Sequence, residues 1–125
     1  MPRWDRDSGA RGPVVKGFTE RGFVVDGGVY EALLLTPERA DGWIAPPLAQ
    51  LAIEHLEPLL SLQPSPEFLI IGTGPSMGFP LRALVRALEE RGIGVEAMDS
   101  RAAARTWGML RGEERWIGAA LMPLG

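Results

Sequence analysis

The amino-acid sequence predicts an α/β domain (α+β by a stricter naming), a β-meander followed by a β-α-β-α-β half. Three observations lead there. Short β-rich runs broken by glycine turns fill residues 13–35. Two later runs, 67–71 and 115–121, are apolar on both faces, as in strands buried from both sides. Between them a 3.6-residue apolar period marks a helix after the first run.

The first half reads as strands in VVKGF, FVVD and VYEALLL, separated by Thr19–Gly22 and Asp26–Gly28. Gly27 and Gly28 can both take positive φ, as a two-residue primed hairpin turn requires. Thr36-Pro37-Glu38 opens a further turn, and Gly42-Trp43-Ile44 can add another extended segment. Residues 46–62 put Leu48, Leu51, Ala52, His55, Leu56, Leu59 and Leu60 on one helical face. Pro58 cannot sit mid-helix without losing a hydrogen bond and clashing with the preceding turn. The helix therefore either stops near Glu57 or begins near Ile53 and takes Pro58 early.

The second half has clearer punctuation. A strand over 67–71 leads into a glycine loop and then a helix over 80–91. Pro80 suits the first turn of that helix, and Leu81, Leu84, Val85 and Leu88 form its apolar stripe. Gly92 ends it as a left-handed cap residue. Gly94–Met98 makes the next strand, Asp99 or Ser100 caps a helix from Arg101 to about Leu110, and 115–121 closes before Pro123. A strand–helix–strand unit of this kind implies a parallel pair with a right-handed crossover.

Composition narrows the function classes. With 125 residues the chain has the length of one domain, expected over 13–125 behind a loose tail at 1–12. A hydrophobic fraction of 46% and a charged fraction of 23% suit a soluble globular protein. The net charge is −3, and the twelve arginines and one lysine form no basic block, so nucleic acid is not an expected partner. No cysteine is present, which removes disulfides, thiol nucleophiles and thiolate metal sites. His55 is the single histidine, too few for a zinc site. No metal and no cofactor is expected. No run reaches the ~20 apolar residues of a membrane helix, and the polar MPRWDRDSGARGP start lacks an apolar signal region. The expected address is the cytoplasm, with no membrane insertion.

The stretch GTGPSMGFP, residues 72–80, is the most motif-like in the chain. Gly74-Pro75-Ser76-Met77-Gly78 spells G-x-S-x-G, the nucleophile elbow of hydrolases. No histidine follows Ser76 to act as base, and the serine stands several residues beyond its strand. Gly72-x-Gly74 with Gly78 also suggests a dinucleotide loop, with Asp99 near the place of a ribose-binding acid. Its third glycine comes one residue late, Pro75 removes an N–H, and no second mononucleotide half is present. The plainer reading is a tight exit from a buried strand, beside a helix start that favours anions.

The stretches FLIIGTG (68–74) and RGIGVEAMDSRAAARTWGMLRGEERWIGAALMPL (91–124) carry a family resemblance. They resemble the domain of unknown function found in mitochondrial NADH:ubiquinone oxidoreductase complex assembly factor 3 and in small uncharacterised bacterial and archaeal proteins. The most specific part is G-I-G-V-E-x-M-D-[ST], followed by A-A-x-R-T and a closing A-A-L-x-P. The resemblance implies a compact three-layer single domain, its meander packed on a mixed central sheet whose last strand is central and antiparallel to its neighbours. The family's D-T-x-A-A-C-R-T-[YF]-N becomes Asp99 to Gly108 here, with Ala104 for the cysteine and Gly108 for the asparagine.

The resemblance implies a non-enzymatic, assembly-factor-like protein whose partner is another protein. The alternative is a small-anion binder or an unassigned enzyme. Its crevice would lie at the C-terminal ends of strands 67–71 and 94–98, where open α/β sheets bind ligands. Gly72, Thr73, Gly74, Asp99, Arg105 and Thr106 are the candidate residues; no catalytic residue is assigned. Arg105 has an equally good structural role, pairing with Glu96 or Asp99. Trp43, Trp107 and Trp116 are expected in the core or at its rim.

Overall fold

The computed structural model describes residues 12–125. The expected tail, 1–12, lies outside the described residues apart from Gly12. Eight strands follow in chain order: β1 (Gly17–Phe18), β2 (Phe23–Val25), β3 (Gly28–Tyr30), β4 (Leu33–Leu35), β5 (Ala40–Gly42), β6 (Phe68–Gly72), β7 (Gly94–Met98) and β8 (Gly118–Leu121). The helices are α1 (Glu57–Leu60), α2 (Arg82–Glu90) and α3 (Ser100–Gly112).

β1, β2 and β3 form the small antiparallel meander. Its second turn runs through Asp26 at φ 48° and Gly27 at φ 83°, one residue earlier than expected. Gly28 already pairs with Val25. Asp tolerates the left-handed region better than most residues, so an Asp-Gly primed turn is as good a solution as Gly-Gly. β4 was expected to continue the meander but leaves it at Glu31-Ala32 and joins the larger sheet.

That sheet has the order β5-β4-β8-β6-β7. β6 pairs in parallel with β7 and with β8, while β4 is antiparallel to β8 and to β5. β8 is central as expected, but it is antiparallel only to β4. The chain enters both β7 and β8 after a helix that returns it to the starting edge, and such a crossover restores the strand direction. Both faces of β8 are therefore covered, and all four of its residues are buried.

Period-two alternation divides the core. Leu33, Leu35, Ile70, Ala119 and Leu121 point to the side holding α3 and the meander, where Trp107, Phe23 and Val25 pack. Leu34, Leu69, Ile71, Ala120 and Met122 point to the other side, against Leu51, Leu56, Leu59, Leu84 and Leu88. Each such Leu or Ile contributes about 1.5–3 kcal/mol by leaving water. Three layers result. Ala119 on β8 and Ala103 and Ala104 on α3 are the small residues where helix and sheet meet, and the guanidinium of Arg101 on α3 lies over the Phe18 ring of the meander at 5.8 Å.

The 46–62 region is not one helix. Two 3-10 turns, Leu48–Gln50 and Ile53–Leu56, precede α1, which carries Pro58 in its first turn. Pro58 is taken early, as in the second alternative, but the α-helix begins at Glu57, behind a 3-10 turn that starts at Ile53. α2 starts at Arg82, two residues beyond Pro80, and Gly92 follows it at φ 78° as a left-handed cap.

Candidate functional site

β6, β7 and β8 run in parallel, so their C-terminal ends meet at one edge of the molecule. Gly72, Thr73 and Gly74 leave β6 there, Asp99 and Ser100 leave β7, and Met122 and Pro123 leave β8. The expected meeting of the GTG loop with the Asp99-Ser100 turn is observed. Gly72 is required by close approach: a Cβ there would lie 2.9 Å from Leu121 Cδ2, 2.9 Å from Ser100 Oγ and 3.0 Å from Ser100 Cα.

The polar groups of this edge are bonded to one another. Thr73 N–H donates to the Met98 carbonyl at 2.8 Å, and Thr73 Oγ1 donates to the Ser76 carbonyl at 2.8 Å. Gly78 N–H in turn donates to Thr73 Oγ1 at 3.0 Å. Gly74 N–H donates to Ser100 Oγ at 2.8 Å, and Ser100 Oγ donates to the Met122 carbonyl at 2.8 Å. Asp99 is the helix cap, with Oδ1 accepting from Ala102 N–H at 2.9 Å.

Ser76, in the G-x-S-x-G string, is exposed, and its carbonyl closes the turn around Thr73. His55 belongs to another part of the molecule. Its Nδ1 accepts from Ala52 N–H at 3.0 Å and caps the local 3-10 turn. Arg105 is exposed on α3, further along the helix from the loop, and pairs with neither Glu96 nor Asp99 among the described residues. Thr106 is half-buried beside it. The structure thus brings Gly72, Thr73, Gly74 and Asp99 together and leaves Arg105 and Thr106 outside that hydrogen-bonded cluster.

The tryptophans are placed as expected. Trp107 is fully buried, with Nε1–H donating to the Pro13 carbonyl at 2.9 Å, and Trp43 and Trp116 are half-buried. The exposed apolar surface is made by other residues, among them Leu81, which was expected on the apolar stripe of the 80–91 helix but precedes α2, where only Leu84 and Leu88 are buried. Phe79 is 82% exposed, Met77 52% and Leu81 42%, all on the loop between β6 and α2; Ile44 is 97% exposed. A signal for Met77 and Phe79 was available: they sit among Gly78 and Pro80, where neither helix nor strand can bury them. Beside them a cavity of about 340 Å³ is walled by Pro46, Pro47, Leu48, Pro75, Met122 and Pro123, among others. Among the described residues no cluster of His, Cys, Asp or Glu could hold a metal ion. No helix among them is long and apolar enough to cross a membrane.

Fold and edge together define a small three-layer α/β domain with an apolar rim where its parallel strands end. A family model described as a protein of unknown function (DUF498/DUF598) matches residues 15–122, and the chain belongs to that family. NADH dehydrogenase (ubiquinone) 1 alpha subcomplex assembly factor 3 from Bos taurus is 32% identical over 110 residues, covering 87% of this chain and 60% of its own length. This chain therefore spans about three fifths of that relative. A crystal structure of a Bordetella parapertussis protein superposes with a TM-score of 0.81 at 31% identity, covering 90% of this chain and 97% of the other. A Bordetella pertussis protein described as a Mth938-like domain superposes at 0.78 with 26% identity, covering 100% of this chain and 93% of its own.

Proposed function

We propose that this protein is a non-enzymatic protein-binding domain of the assembly-factor kind, which docks its partner on the rim formed by the 75–81 loop. One observation carries the reading. The hydrogen-bonding groups of Thr73, Gly74 and Ser100 are bonded within the fold and Asp99 Oδ1 caps α3, while Met77, Phe79 and Leu81 stand in water. Apolar side chains clustered at the surface favour a protein interface, and Met adapts well to partner surfaces. The name of the Bos taurus relative points the same way. A cytoplasmic location is part of the reading, to be checked by cell fractionation.

The test is an affinity pull-down from native extract with the tagged full chain and with its Phe79→Asp variant. Specific subunits of a membrane complex should appear with the first and vanish with the second. Identical recoveries from both would refute the reading. The ligand-binding alternative at Gly72, Thr73, Gly74, Asp99, Arg105 and Thr106 has only the cavity that Thr73 and Gly74 help to line in its favour, and Asp99, Arg105 and Thr106 are not part of that lining. A sulfate- or metabolite-induced rise in melting temperature, lost in Arg105→Ala, would revive it.

A further inference from the structure

α2 buries only one side. Leu84 and Leu88 face the sheet, while Arg82, Val85, Arg86 and Glu89 lie on the outward side. Together with Phe79 and Pro80 they line a groove of about 520 Å³. Its apolar lining is the half-buried Val85 and Pro80 and the exposed Phe79. Arg82 and Arg86, four residues apart, stand side by side on one helical surface. Both are exposed, and neither enters an ion pair among the described residues. Glu89 lies two turns beyond Arg82, about 10 Å along the axis, and reverses the charge at the far end.

From this charge pattern, and resting on the protein-binding reading above, we infer that the groove receives an amphipathic helix of a partner protein carrying two acidic side chains one turn apart. The apolar stripe of that helix packs on Phe79 and Val85, its carboxylates meet Arg82 and Arg86, and a basic residue meets Glu89. A second copy of this chain fits less well. α3 carries no acid, the acids of α2, Glu89 and Glu90, are adjacent, and Glu54 and Glu57, which do stand one turn apart, lie on a segment whose Leu56 and Leu59 are already buried in the fold and offer no free apolar stripe. An anionic membrane surface fits poorly as well, because Glu89 and Glu90 would face it and the net charge is −3.

The test selects binders to the immobilised full chain from a displayed library of randomised helical peptides. It then measures the most enriched peptide by fluorescence anisotropy. Enriched sequences should carry Asp or Glu at i and i+4 beside apolar residues at helical spacing. Phe79→Asp should abolish binding. The Arg82→Glu, Arg86→Glu double variant should weaken it about tenfold, and a peptide with Lys in place of both acids should recover it. Unchanged thermal melting of the variants verifies that they fold. An empty selection, an enriched pool without acidic bias, or affinity indifferent to the double variant overturns the inference. So does co-sedimentation with phosphatidylcholine–phosphatidylglycerol vesicles, or concentration-dependent self-association, that Phe79→Asp removes. If Phe79→Asp disrupts the extract pull-down while the double variant does not, the docking reading stands and the acidic helix falls. If neither variant changes the pull-down, both fall.

Discussion

Ser100 and Gly74 exchange two hydrogen bonds, Gly74 N–H to Ser100 Oγ at 2.8 Å and Ser100 N–H to the Gly74 carbonyl at 2.8 Å. The same hydroxyl donates to the Met122 carbonyl, so one buried side chain ties the exits of β6, β7 and β8. Ser100→Ala strands a buried donor and a buried acceptor, and the expected loss is about 1–3 kcal/mol of folding stability. Denaturant unfolding measures it, and a change below about 0.5 kcal/mol, the range of neutral surface substitutions, would show that water replaces the hydroxyl.

Gly72→Ala tests the close packing of the same junction. The added methyl would press on Leu121 Cδ2 of the central strand and on Ser100, both buried. Neither the helix backbone nor β8 can retreat cheaply, and overpacking of this kind costs about 1–3 kcal/mol. A variant as stable as the parent in a thermal melt would mean that α3 shifts freely.

Trp107→Phe asks what holds the segment before β1. The indole N–H reaches the carbonyl of Pro13 across the core. Removing it leaves that buried carbonyl without its donor, at about 1–3 kcal/mol, together with lost ring volume. Amide exchange at Val15 and Lys16 should quicken more than exchange at β6. Equal acceleration throughout would mean only global destabilisation.

Acid should weaken one specific surface contact. Arg115 pairs with Glu67 Oε1 at 2.7 Å, and the Trp116 N–H approaches the other oxygen. The Arg115 hydrogen bond first, then the Trp116 N–H, lowers the Glu67 carboxyl below its ordinary 4.5. A depressed folded-state value contributes stability above the unfolded value and loses it as pH falls through the folded one. The difference in melting temperature between the parent and Glu67→Gln should thus be present at pH 7 and disappear below 4.5. Both groups are exposed, so the effect is small and should shrink in high salt. A difference that grows toward acid would contradict this assignment.

Local chemistry made much of the chain readable. Gly94–Met98 shows its strand in full because Gly92 ends one helix and Asp99 caps the next. The meander, the parallel β6–β7 pair and the family motif follow from similarly short-range signals. The hairpin at Asp26-Gly27-Gly28 slipped by one residue because any two of the three can occupy a primed turn. Pro58 left two starts open for its helix, and the packing of Leu51, Leu56 and Leu59 under the sheet decided between them.

The candidate site was legible only as a meeting of two loops. Sequence placed GTG and Asp99-Ser100 at the same end of the sheet, since a crossover makes the two strands parallel. It did not show that Ser100 bridges to Met122, that β8 is parallel to β6 and antiparallel to β4, or that Phe79 stays in water. Turns, caps and periodicity depend on residues a few positions apart, and their energies are set before the chain closes. Which polar groups find partners, and which apolar side chains find none, depends on segments that only the folded sheet brings within reach.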